Sequence, residues 1–210
     1  MTAILVIYDI FGFFPQTLQG ADILAYSDSA SPCQVFIPDC FNDNTANIDW
    51  MPPDNEEKQK ALGEWFGNAH PPTHLPKVNG FLEAAEAAHK GIKQWAVVGY
   101  CWGGKMTNLL AGEGTRFEAA VQTSSAMVDP TEAKSVTIPT MILASKEEPK
   151  DAVEEYVANL VVSRHVETFG DQVHGFMGAR ADLADANVKK DEFQPHLDAL
   201  VWGLDLLGDV

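Results

Sequence analysis

The chain has 210 residues and a formal net charge of −16, with 46% hydrophobic and 21% charged residues. That is ample length for one well-buried domain of ordinary globular composition. The acid excess argues against nucleic acid and anionic membrane surfaces as partners, and no window approaches the length of a membrane-spanning helix.

The N-terminal run Thr2-Ala3-Ile4-Leu5-Val6-Ile7-Tyr8-Asp9 has no basic region before it and is too short for a signal peptide. It predicts a strand over 3–8. Further strands are predicted over 34–38, 95–99, 118–123, 138–144 and 164–169, and helical stretches near 15–30, 55–67, 75–90, 102–112, 149–163 and 187–207. Runs such as Ile4-Leu5-Val6-Ile7 and Trp95-Ala96-Val97-Val98 read as strands buried on both faces. Strands of that kind alternating with helices predict an α/β fold: a doubly wound, mostly parallel sheet with helices on both sides. The whole chain, 1–210, reads as a single domain.

Cys33 and Cys40 flank the second strand, too far apart in an extended segment to bond easily. They read as small packing residues. Three sparse cysteines make no disulfide framework, which points to a reducing compartment, the cytoplasm. From 42 to 76 the chain is rich in Asn, Asp, Pro and Trp, with Pro52-Pro53 and Pro71-Pro72 as breakers. This segment reads as an excursion over the carboxyl edge of the sheet, with one short helix near 56–66, where a substrate lid would sit. The stretch Glu83–Lys90 is a good helix with Gly91 placed to cap its end.

The segment Gly99-Tyr100-Cys101-Trp102-Gly103-Gly104 joins the third strand to the next helix. A nucleophile between glycines at a strand-to-helix turn is the nucleophile-elbow pattern. Here cysteine stands where serine is usual, and a helix N-terminus favours its reactive thiolate. A cysteine nucleophile needs a base and an orienting acid. His174, in the loop after the strand 164–169, is the only histidine at a strand's carboxyl end after the elbow; His165 lies within a strand and His196 in the last helix. The acid should follow the strand that ends at Ala144. Glu147 is the first choice, with Glu148 and Asp151 as alternatives. Backbone N–H groups of Trp102 and Ile10 are the expected oxyanion donors. Phe11, Phe13, Phe14, Trp50, Trp65, Phe66, Trp102 and Phe176 lie near the expected mouth and suggest a pocket for an apolar or planar group, whereas Trp95 and Trp202 read as core.

Tyr8-Asp9-Ile10-Phe11-Gly12, Pro38-Asp39, the Cys101 elbow and His174-Gly175-Phe176 together resemble the motifs of the dienelactone hydrolase family, in that family's order and over most of the chain. The resemblance implies an α/β-hydrolase fold and a Cys-acid-His triad with no metal and no cofactor. It implies hydrolysis of lactone or ester bonds of a small molecule through an acyl-enzyme. Asp9 matches the position whose acidic residue contacts the resting thiol in such enzymes, which gives it a thiol-modulating role. Phe11 and Arg180 are candidate substrate-binding residues, Arg180 for a substrate carboxylate. Family members usually carry earlier residues that form edge strands, so the resemblance also predicts a less well covered sheet edge. The alternative is a non-catalytic small-molecule-binding protein on a hydrolase fold. A thiol redox role would need a resolving cysteine, and none lies near Cys101 in sequence.

Overall fold

A computed structural model describes residues 1–26 and 33–184. Among the described residues six strands form one sheet: β1 (Thr2–Ile7), β2 (Gln34–Phe36), β3 (Gln94–Tyr100), β4 (Phe117–Thr123), β5 (Thr140–Ser145) and β6 (Arg164–Phe169). Their order is β2-β1-β3-β4-β5-β6, and every pairing is parallel. The helices are α1 (Pro15–Tyr26), α2 (Glu56–Asn68), α3 (Pro71–Ala88), α4 (Trp102–Leu110) and α5 (Lys150–Asn159), with 3-10 turns at Ile48–Trp50 and Glu132–Ser135. This is the predicted doubly wound α/β architecture. The predicted helix over 187–207, with His196 and Trp202, lies outside the described residues, as do 27–30 of the first predicted helix.

Alternation along the strands sends successive side chains to opposite faces. Leu5, Ile7, Val97 and Ala120 join one core with Val78 and Leu82 of α3, Met106 of α4 and Tyr156 of α5. Ile4, Val6, Val98, Val121 and Leu143 join a second core on the other face with Leu24 of α1 and Phe176. Cys33 packs in the second core and Cys40 in the first, so they lie on opposite sides of the sheet. Trp95 is core, as expected. β6 differs from the inner strands. It forms an edge, and its residues Arg164 to Thr168 are exposed. β2, the other edge, has three half-buried residues.

Two details of the prolines and glycines depart from expectation. Pro71-Pro72 lies at the break after α2, as expected, but it also starts α3, because a proline at the first helical position loses no intrahelical hydrogen bond. α3 therefore begins four residues earlier than predicted and carries Pro76 inside it. At its other end the cap is His89, whose N–H donates to Ala85 O; Gly91 is not in the left-handed conformation that a glycine cap uses. α2 starts on Asn55, whose side chain accepts from the Lys58 N–H at 2.9 Å, with Glu56 and Glu57 in the first turn.

Candidate active site

Register places the candidate residues together. Ile7 of β1 pairs with Gly99 of β3, so Asp9 and Cys101, each two residues further on, leave the sheet side by side. Cys101 has φ 53° and ψ −108°, a strained conformation for a residue with a side chain. It is held there by its own N–H donating to Thr123 O at 2.9 Å and by its carbonyl accepting from Ala126 N at 3.0 Å. The elbow glycines are required by close approach. A Cβ on Gly99 would land on the Gly103 carbonyl oxygen, and one on Gly103 would land on the Ile7 carbonyl oxygen. That approach seats the first turn of α4 directly on β1 and β3, with Cys101 at its N-cap and Trp102 as its first residue. A residue at that position has an N–H with no intrahelical partner.

His174 lies in the loop after β6, 24% exposed at its side chain. Its Nδ1 is 2.6 Å from Oε1 of Glu148. Of the three carboxylates that the sequence offered, the one on the imidazole is thus Glu148, and not the first choice, Glu147. The tight turn after β5 decides this. Glu148 folds back beneath its own strand and accepts from both the Ser145 N–H and Ser145 Oγ, the latter at 3.0 Å. With His174 that gives a buried carboxylate three donors. Asp151 is exposed in the first turn of α5. Burial pulls the His174 imidazolium down. The charge and hydrogen bond of Cys101, then the hydrogen bond and charge of Glu148, outweigh burial and push His174 up to about 10. Since Nδ1 faces Glu148, Nε2 is the ring nitrogen left for Cys101.

Glu147 has a different place. Its Oε2 accepts the His174 backbone N–H at 3.0 Å and lies 3.4 Å from Nη1 of Arg180. The same Nη1 donates to the His174 carbonyl at 2.7 Å. An ion pair therefore brackets the backbone of His174 on both sides. Burial pulls the Glu147 carboxyl up, but the His174 N–H and Arg180 hold it below the usual glutamate range.

Asp9 is 2% exposed. Its Oδ1 accepts from Phe11 N and its Oδ2 from Ala179 N, both at 2.9 Å. The carboxylate thus ties the turn after β1 to the loop that carries His174; among the described residues the Cys101 thiol is not one of its hydrogen-bond partners. Burial raises its pKa to about 6, against the pull of those two N–H groups and of His174 and Arg180.

A cavity of about 130 Å³ opens beside the sulfur. Asp9, Ile10, Phe11, Cys101, His174 and Arg180 line it, and Met51, Leu62 and Phe66 of the excursion complete the wall. Of the other aromatic residues expected at the mouth, Phe13 is largely exposed, and Trp102 and Phe176 are fully buried packing residues. Trp102 anchors the excursion instead, its Nε1 donating to Ala69 O at 2.7 Å. Sequence reasoning missed the roles of Ser145 and of Met51 and Leu62. The placement of Ser145 three residues before Glu148 was the available signal for the first.

The dienelactone hydrolase family model matches residues 1–201. The chain belongs to the dienelactone hydrolase family. Membership makes it an ester or lactone hydrolase on an α/β-hydrolase fold. An uncharacterized AIM2 family protein of Schizosaccharomyces pombe is 31% identical over 187 residues, which cover 87% of this chain and 74% of that protein. A carboxymethylenebutenolidase homolog of Xenopus tropicalis is 26% identical over 83% of this chain and 70% of its own. Among solved structures, a Klebsiella pneumoniae chain assigned to the dienelactone hydrolases superposes with a TM-score of 0.73 at 18% identity, covering 95% of this chain and 86% of that one. At that identity the likeness concerns the fold.

Proposed function

We propose that this dienelactone hydrolase family member cleaves lactone or carboxylic ester bonds through a thioester on Cys101. The observation that carries the reading is the continuous chain from Cys101 to His174 to Glu148, with the imidazole held between sulfur and carboxylate. His174 takes the thiol proton, and Glu148 keeps Nδ1 protonated so that Nε2 faces the sulfur. The thiolate attacks the carbonyl carbon, and the oxyanion is stabilised by the N–H groups of Ile10 and Trp102. His174 returns the proton to the departing alkoxide, which in a lactone stays attached to the acyl group. Water, deprotonated by His174, then attacks the thioester; the acid leaves and the sulfur recovers its proton. Glu147 and Arg180 act as positioning residues for His174. Asp9 acts on the thiol through its charge and through the loop it ties. Residues 42–76 act as a lid on the single domain. Three buried thiols suit the cytoplasm, and among the described residues no helix is long and apolar enough to cross a membrane.

The test is hydrolysis of p-nitrophenyl acetate by the wild type, Cys101→Ala and His174→Ala, with mass spectrometry of the trapped enzyme. The expected result is loss of activity in both variants and an acyl adduct on Cys101 in the wild type. Equal slow hydrolysis by all three, repeated with bulkier esters and lactones, would overturn the reading in favour of a binding protein.

A further inference from the structure

The charges around the cavity are already matched before any ligand arrives. Among the described residues, the cationic side chains on its wall are Arg180 and, when protonated, His174. His174 faces Glu148. Arg180 donates to the His174 carbonyl and faces Glu147. Asp9 adds a carboxylate to the same wall, and at neutral pH it is charged for most of the time. Besides the Cys101 thiol and Gly175, the rest of the wall is the apolar side chains of Ile10, Phe11, Met51, Leu62, Phe66 and Ala126. A volume of about 130 Å³ is close to the ~150 Å³ apolar cavity that accepts a benzene ring.

We propose that the cavity receives an uncharged, apolar group no larger than a single six-membered ring, and that the site selects against substrates bearing a free carboxylate. Among the described residues, an incoming carboxylate would find no unmatched cation on this wall. It would lose its hydration beside Leu62, Phe66 and Phe11 and meet the field of Asp9. Arg180, the residue that sequence reasoning offered for a substrate carboxylate, is a positioning residue for the His174 loop. The net charge of −16 adds a long-range term of the same sign, slowing the approach of anions at low salt.

The inference rests on the ester-hydrolase reading for its substrate but not for its charge preference, so two probes separate them. The first compares kcat/KM for p-nitrophenyl valerate with that for p-nitrophenyl hemiglutarate, which ends the same chain in a carboxylate. The neutral ester is expected to be favoured by at least about 10-fold, and Leu62→Arg, which adds a cation to the wall, should narrow that gap. The second compares alkylation of Cys101 by iodoacetamide and iodoacetate, each rate divided by the rate with N-acetylcysteine and located by peptide mass spectrometry. Iodoacetamide should be the faster reagent. Hemiglutarate cleaved as well as valerate would overturn the charge selection and leave the hydrolase standing, as would iodoacetate matching iodoacetamide. Neither of these esters cleaved, nor bulkier esters and lactones, with iodoacetamide still preferred, would remove the hydrolase reading and support the charge selection.

Discussion

Glu147 and Glu148 are neighbours in sequence and opposite in environment. Glu148 is buried and meets the imidazole, whereas Glu147 is half in solvent and meets the backbone of the same histidine. Exchanging each for glutamine should therefore separate them. Glu148→Gln is expected to lower kcat for p-nitrophenyl acetate by roughly 10²–10⁴-fold, because an amide can favour the wrong imidazole tautomer. Glu147→Gln should cost less than about 10-fold, since it weakens a positioning bond and leaves the proton path intact. Asp9 offers a test by pH. Its folded pKa of about 6 lies above the ordinary aspartate value of 3.8. Between those values the folded state holds the proton more tightly than the unfolded chain does. The contribution of this group to stability is thus full below about pH 4 and falls as pH rises towards 6, by ~1.4 kcal/mol for each unit of separation. Urea titrations from pH 4 to 7 should show this slope in the wild type and a flatter line in Asp9→Asn.

At the scale of elements, the junction of β3 with α4 governs the site. Gly103 lets the first turn of α4 touch the end of β1, so any side chain there must push the helix away from the sheet. Gly103→Ala is expected to destabilise the protein by roughly 3–5 kcal/mol, or to prevent folding, through overpacking against backbone that cannot move aside. Urea unfolding, or the soluble yield where the variant does not fold, checks it. A buried polar network steadies the other side of α4. Lys105 and Asn108 both reach Oε2 of Glu132, at 2.5 and 2.6 Å, and Asn108 accepts from Tyr156 of α5, which in turn accepts from Gln122 of β4. Truncating Glu132 to Ala leaves two buried donors without their shared acceptor and should lower stability by about 1–3 kcal/mol, measured in the same way.

For the whole molecule, the charge is the dominant long-range quantity. With 30 acidic residues against 14 Lys and Arg, like charges repel across the surface. Screening shortens that repulsion to about 10 Å at 0.1 M salt. The melting temperature should therefore rise by a few degrees between low salt and 0.2 M NaCl, by relief of self-repulsion. A melting temperature that falls with salt would mean that attractive ion pairs outweigh the net charge.

The sequence by itself determined the layout. Strands buried on both faces, the glycines around Cys101 and a histidine loop after β6 were legible because each is written locally, in side-chain period or in a short motif whose backbone demands those residue types. The family followed from the same motifs. Edge β6 was legible as a strand but not as an exposed one, since its neighbours are set by topology. Tertiary structure alone decided which of Glu147 and Glu148 meets His174, because a difference of one residue at a tight turn reverses the direction of a side chain. It also decided that Asp9 bonds to the backbone of two loops and that Arg180 faces Glu147 and a carbonyl. The Ala179 N–H and the Glu147 carboxylate are 170 and 33 residues away in the chain, and no local pattern records which distant N–H or carboxylate a charged side chain will find.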